Sequence, residues 1–271
     1  FIMENVPGML SSKINGKSIF SKVLKDLSNP SNLKKESSLK YNLFPLVNKK
    51  EDLFFKDSDF KINTEEFGVP QSRKRIIILG VRSDLSLKKI PTLKSKPKIN
   101  VEQILEGLPV LRSGITKRKN LSIQDEESIW KEEIISWNIS LLNTLSPELK
   151  KHLNKLFKQI AKKEYINGKG GEFIKKNKPI NIKGLHPIVS RWIIDSDLDY
   201  HLNSTSKAHM DSDLKRYIFN SAFAEIKHKA ALLSDYPDKL QPNHKSKKTS
   251  HQDRFRTLIR NKPSRTITSH I

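Results

Sequence analysis

The chain has 271 residues, with 51 Lys and Arg against 29 Asp and Glu, a formal charge of +22 and a pI near 9.9. That length buries one good core, or one core with a smaller appended domain, and no run approaches the roughly 18 apolar residues of a membrane-spanning helix. The absence of cysteine excludes a disulfide scaffold, a Cys-ligated zinc site and a thiol nucleophile within these residues. The start, Phe1-Ile2-Met3-Glu4-Asn5, has neither an initiator Met nor a signal sequence, and is expected to be a chain entered part-way. The charge favours a nucleic acid as partner, because each Lys or Arg that neutralises a phosphate releases a counterion. The plainer alternative is a solvated surface of lysine pairs such as Lys49-Lys50, Lys150-Lys151, Lys162-Lys163 and Lys175-Lys176. No membrane partner is expected.

In chain order, Ile19, Phe20, Val23, Leu24 and Leu27 have the spacing of an amphipathic helix over 18–27. A Lys- and Ser-rich connection follows over 29–40, and 53–68 reads as an extended segment. The unbroken apolar run Ile76-Ile77-Ile78-Leu79-Gly80-Val81 predicts a strand covered on both faces, an α/β sheet signal. Pro91 and Pro97 mark a connection between domains, and Asn100-Val101-Glu102-Gln103 resembles the capping box of a short helix. Ser146-Pro147-Glu148 starts a helix whose apolar stripe is Leu149, Leu153, Leu156, Phe157 and Ile160. Gly168, Gly170 and Gly171 form a tight loop. A last helix is expected from Asp211 to about Leu233, with Asp211 as its N-cap, and a hairpin from Arg256–Ile259 to Thr266–Thr268.

Three short segments carry candidate chemistry. Glu4-Asn5-Val6 follows apolar Phe1 and Ile2 and so ends a buried strand; its carboxylate is either a turn cap or a proton donor at a sheet edge, where α/β sites lie. Gln71-x-Arg73-x-Arg75 turns an amide and two guanidiniums to one side if the segment is extended, suiting a phosphate, a carboxylate or a base edge. Its alternative is an ordinary basic strand entry. The third segment is Lys262-Pro263-Ser264-Arg265-Thr266-Ile267-Thr268.

In this order, Glu4-Asn5-Val6, then Phe67-Gly68-Val69-Pro70-Gln71-Ser72-Arg73-Lys74-Arg75 with its apolar strand, then the third segment, resemble the DNA (cytosine-5) methyltransferases. The first two correspond to that family's motifs VI and VIII, and the third to the strand re-entering the catalytic domain after the target-recognition region. The resemblance covers both ends of the chain, while residues 100 to 255 fall where the family varies most. It implies an α/β fold, part of a doubly wound S-adenosylmethionine-dependent sheet, with a smaller mixed α+β target-recognition domain. Residues 1–90 would be partial catalytic domain, 91–255 the DNA-reading domain and 256–271 the returning strand.

The implied activity flips a cytosine out of a specific duplex site and transfers methyl from S-adenosylmethionine to C5, in restriction-modification. A thiolate adds to C6 and pushes electron density toward N3 and O2. Glu4 is then the candidate that engages N3 and the amino group, Asn5 orients the local loop, and Arg73 and Arg75 stabilise charge at the base. Gln71, Arg265, Thr266 and Thr268 are the DNA-binding candidates, Thr266 beside the phosphate of the flipped nucleotide.

The chain departs from the family pattern in having no Pro-Cys segment, no glycine-rich S-adenosylmethionine loop and no closing Gly-Asn segment. No cofactor-binding residue is therefore assigned, and the chain alone is expected to be inactive. Its partners are double-stranded DNA and a missing catalytic segment, in cis or on a complementing subunit, in a bacterial-type cytoplasm at the nucleoid. The alternative is a non-catalytic DNA-binding subunit or a degenerate relative of a split methyltransferase. A metal site from His186, His201, His209, His244 and His251 with Asp211 and Asp213 lacks a tight ligand spacing, and no metal is assigned. Gly168-Lys169-Gly170-Gly171 lacks the spacing of a P-loop and is a candidate DNA-contacting loop; Arg191 and Trp192 are weaker ones, and Trp130 and Trp137 pack a helix face.

Overall fold

Asn15-Gly16 turns the chain between two short strands, β2 (Lys13–Ile14) and β3 (Lys17–Ser18). Both turn residues have positive φ, 49° and 79°, the type I′ geometry that matches strand twist in a two-residue hairpin. The computed structural model describes residues 1–30, 39–47, 55–85, 92–116, 125–137, 145–176, 187–241 and 256–266. They divide into two compact units, one drawn from Phe1–Asn100 and Pro263–Ile267, the other from Val101–Lys262.

Unit 1 is built on a four-stranded sheet. Its centre is β7 (Lys74–Arg82), flanked by β1 (Ile2–Asn5) and β4 (Tyr41–Pro45), with β5 (Lys61–Asn63) also on β7. All three pairings with β7 are antiparallel, so β1 and β4 run in the same direction on either side of it. The buried face carries Ile76 and Ile78 against Met9, Phe20 and Phe60. Phe20 comes from α1 (Ile19–Ser28), which Ser18 caps by accepting from the Ser21 N–H. The expectation of a strand covered on both faces is corrected: Ile77, Leu79 and Val81 are half-buried, because the described helix and turns pack on one face only. A run of apolar residues cannot by itself distinguish the two faces.

The segment before β7 is also less extended than expected. Two 3₁₀ turns, Asp57–Phe60 and Thr64–Phe67, bracket β5, and Gly68 ends the second at φ 80°. Beyond them β6 (Gln71–Ser72) is separate from β7. It pairs in parallel with β12 (Ser264–Arg265), so among the described residues the C-terminal segment joins β6 and not a hairpin with 256–259. Asn261-Lys262-Pro263 turns the chain toward a partner distant in sequence, which local turn signals do not reveal.

Unit 2 begins with α2 (Val101–Leu105) and contains α3 (Glu127–Ile135), α4 (Pro147–Lys162), α5 (Pro187–Ile193) and α6 (Asp211–Lys227). Two small strand pairs accompany them: β8 (Gly114–Ile115) parallel to β11 (Ala208–His209), and β9 (Phe173–Lys175) antiparallel to β10 (Tyr200–Leu202). The expected stripe of α4 is the one buried: Leu149, Leu153 and Phe157 meet Trp130, Trp137, Leu214, Ile218 and Phe219 in one core. Ser146 caps α4 through the Leu149 N–H. Helix α6 ends at Lys227, short of Leu233, because His228 takes a left-handed conformation at φ 51°. The buried Asn220 side chain then accepts from the Ala231 N–H and holds the departing chain. Its N-cap is Met210, with Asp211 already in the first turn, where a carboxylate meets the helix dipole.

The ends of unit 2 are tied together. The first two N–H groups of α2 donate to the carbonyls of Lys262 (2.9 Å) and Arg260 (3.0 Å), and the Arg260 guanidinium reaches Glu102 at 3.0 Å. Gly170 is a second fixed point, at φ 82°, where a Cβ would overlap the Ser204 carbonyl oxygen. Gly170→Ala is therefore expected to destabilise unit 2 by about 2 kcal/mol or more in a denaturant melt. An unchanged midpoint would contradict this placement of the loop.

Candidate active site

The backbone register brings two of the candidate residues together. Glu4 lies opposite Ile77 across the β1–β7 pairing, and Arg75 is the next residue along β7 on the same face. The Arg75 guanidinium pairs with the Glu4 carboxylate through Nε and Oε1, and its Nη1 donates to the Lys74 carbonyl at 2.7 Å. Glu4 is 56% exposed while Arg75 is 16% exposed, so a largely buried cation orients an accessible carboxylate. Asn5 sits opposite Ile76, and its Oδ1 accepts from the Val6 N–H at 2.8 Å, steering the chain into Pro7 and the 3₁₀ turn that follows.

Gln71, Arg73 and Arg75 do not form one continuous strand. The segment breaks at Arg73, and Thr64 makes the break: its hydroxyl donates to the Gln71 carbonyl (2.6 Å) and accepts from the Arg73 N–H (3.1 Å), while its own N–H donates to the Arg73 carbonyl. Arg73 is exposed at this corner. Glu65 accepts from the Ser72 hydroxyl at 2.9 Å, so the 3₁₀ turn underpins the whole corner. Ser264 lies opposite Gln71 and Arg265 opposite Ser72, and the Thr266 hydroxyl donates to the Ser72 carbonyl at 3.1 Å. Thr268 lies outside the described residues. Seven of the eight candidates thus belong to unit 1. Sequence reading missed Thr64, Glu65 and Ser72, whose contacts span seven to nine residues through a turn that carries no periodicity.

A profile of the C-5 cytosine-specific DNA methylase family matches residues 1–270. The chain belongs to that family. Among curated methyltransferases it is similar to the type II methyltransferase M.NlaIV of Neisseria lactamica, at 34% identity over 39% of this chain and 27% of that protein. It is also similar to the type II methyltransferase M.NgoBV of Neisseria gonorrhoeae, at 36% identity over 38% of this chain and 26% of that protein. The matched region thus spans about a quarter of the length of these methylases. No solved structure matches the chain.

The other candidates fall elsewhere in the methylase chain. Trp130 and Trp137 are buried in the core of unit 2, Trp130 with its indole N–H on the Ser113 hydroxyl. Trp192 and Arg191 are exposed on α5. Among the described residues no three His, Asp or Glu converge as a metal-ligand group, and His186, His244 and His251 lie outside them. Burial and the neighbouring Lys176 push the His201 imidazole below its ordinary range. No described helix is long and apolar enough to cross a membrane.

Of the glycines of unit 1, Gly8 lies inside the 3₁₀ turn after β1, Gly16 makes a hairpin, Gly68 ends a turn, and Gly80 lies under the Phe1 ring. None belongs to a glycine-rich loop between a strand and an α-helix, so the described residues do not fit S-adenosylmethionine.

Proposed function

We propose that the protein carrying this chain is a DNA (cytosine-5) methyltransferase of a type II restriction-modification system, acting on a flipped cytosine in a specific duplex site with S-adenosylmethionine as methyl donor. The observation that carries this reading is the Glu4–Arg75 pair at the end of β1, beside the corner where Gln71–Arg73 is held by Thr64 and β12. In the reaction a thiolate adds to C6, and the electron density pushed onto N3 is taken up by a proton from the Glu4 carboxyl, which also lies by the exocyclic amino group. Arg75 holds Glu4 in place, Arg73 adds positive potential at the exposed corner, and Asn5 fixes the turn. Gln71, Arg265, Thr266 and Thr268 contact the DNA strand. The 271 residues hold no cysteine, so the thiolate and the cofactor pocket lie outside them, and the chain alone is inactive. Unit 1 is then one edge of a doubly wound sheet; β1 and β4, running in the same direction about an antiparallel β7, support this.

Unit 2 is the target-recognition domain in this reading. Its tied ends make it exchangeable, and replacing residues 101–262 in the full-length methylase by the matching segment of a relative is expected to change which cytosines carry 5-methyl groups in bisulfite sequencing. An unchanged pattern would sink the assignment. The absence of cysteine supports a second reading, a DNA-binding subunit of a split methyltransferase in the bacterial cytoplasm. An intact native mass of 31.2 kDa would favour it over the first.

A further inference from the structure

We propose that the outer face of α4 is a phosphate-binding rail, a row of four lysines that grips the sugar-phosphate backbone of duplex DNA without reading its sequence. The proposal rests on the methyltransferase reading for its choice of polyanion.

Lys151, Lys155, Lys158 and Lys162 are spaced i, i+4, i+7 and i+11 along α4. At 100° per residue they fall within an arc of about 60°, and at 1.5 Å per residue the row is about 16 Å long. The apolar stripe Leu149, Leu153 and Phe157 lies on the opposite side of the helix and is buried, so the lysines are turned outward, and all four are exposed. One strand of duplex DNA presents a phosphate about every 3.4 Å of axis, so a row of this length faces about four or five of them.

A solvated helix face usually intersperses carboxylates with its lysines, and the other long helices of unit 2 do so. On α6, Lys215 pairs with Asp211 (3.8 Å) and Arg216 with Asp213 (2.6 Å); on α3, Lys131 pairs with Glu127 (2.7 Å). Along α4 no described carboxylate pairs with any of the four lysines, and Glu148, the one acid of the helix, faces Lys227 (3.6 Å). Like charges three and four residues apart destabilise a helix by a few tenths of a kcal/mol per pair. The row keeps that repulsion in the free protein, and a polyanion laid along it removes it. Asn154 and Gln159 border the row with neutral donors suited to phosphate oxygens.

The test compares full-length wild-type protein with the quadruple variant K151Q/K155Q/K158Q/K162Q and its Lys→Arg counterpart, using a fluorescent mixed-sequence duplex over a range of salt. The slope of log affinity against log salt is expected to fall by about 3 to 4 in the Gln variant and to stay at the wild-type value in the Arg variant. Sites methylated in cells should be unchanged, and the Gln variant should melt no lower than wild type at low salt. A wild-type slope in the Gln variant overturns the rail and leaves the methyltransferase reading intact. Absence of duplex binding by the wild type overturns both. Loss of binding to phosphatidylserine vesicles with an unchanged DNA slope assigns the row to a membrane and overturns the proposal.

Discussion

Glu4→Gln in the full-length methylase is expected to lower methyl transfer by about 10²–10⁴-fold while leaving the affinity for duplex DNA nearly unchanged. The amide keeps the shape of the side chain but has no acidic proton to give to N3, which is the role proposed for Glu4. Arg75→Ala should cost a similar factor, since the guanidinium is the group that orients the Glu4 carboxylate. The double variant should then be little worse than either single one, because two residues acting as a unit are not additive. Single-turnover methylation and equilibrium binding, measured on the same duplex, check this. If affinity falls and turnover at saturation does not, Glu4 and Arg75 are backbone contacts and not groups at the reacting base. Fully additive losses would mean that Glu4 and Arg75 act independently, and losses of only a few-fold in each single variant would make them an ordinary surface ion pair.

A second large effect is expected far from the candidate site. Arg112 is 7% exposed; it donates to Asp125 Oδ1 and to the Asp125 carbonyl, both at 2.7 Å, while Lys169 approaches Asp125 Oδ2 at 2.8 Å. Arg112→Ala leaves a partly buried carboxylate with one cation, and breaking such a pair costs about 3–5 kcal/mol. The same cluster sets an acid limit. Burial pushes the Asp125 carboxyl up, but hydrogen bonds from Lys169 and Arg112 outweigh it and hold the group below its ordinary value. A carboxylate depressed in the folded state adds stability that is complete above its unfolded value, near 3.9, and is lost as pH falls through the folded value. Denaturant melts across that range should show the wild type losing stability at lower pH than Arg112→Ala. Coincident acid arms would show that Arg112 does not hold the charge.

Much of the candidate site could be named from the sequence because its residues are contiguous. Glu4-Asn5 and Gln71–Arg75 are short runs of candidate residues, and the spacing of Leu149, Leu153 and Phe157 declared the buried face of α4. What the sequence concealed are contacts between distant segments and breaks that carry no period. Thr64 clamps Gln71 and Arg73 from a 3₁₀ turn, and β12 docks on β6 when its own neighbours suggested a hairpin. The half-open face of β7 was hidden for another reason: a run of isoleucines satisfies burial on one side as well as on two. The strands on either side of Asn15-Gly16 are only two residues long, too short for an alternating pattern to declare a hairpin.

The tied ends of unit 2 also set an order of assembly. Bringing Ser264 onto Gln71 in an otherwise unfolded chain means closing a loop that contains the whole of Val101–Lys262. Once α2 has received the carbonyls of Arg260 and Lys262, that loop is short-circuited, and the closure entropy falls by on the order of 1–2 kcal/mol. Docking of β12 therefore comes late, and Thr266 reaches the Ser72 carbonyl most readily in molecules whose inserted unit has already folded. A nascent chain with a misfolded insert is then slow to complete this corner, which makes maturation of the inserted unit a checkpoint on the residues around it.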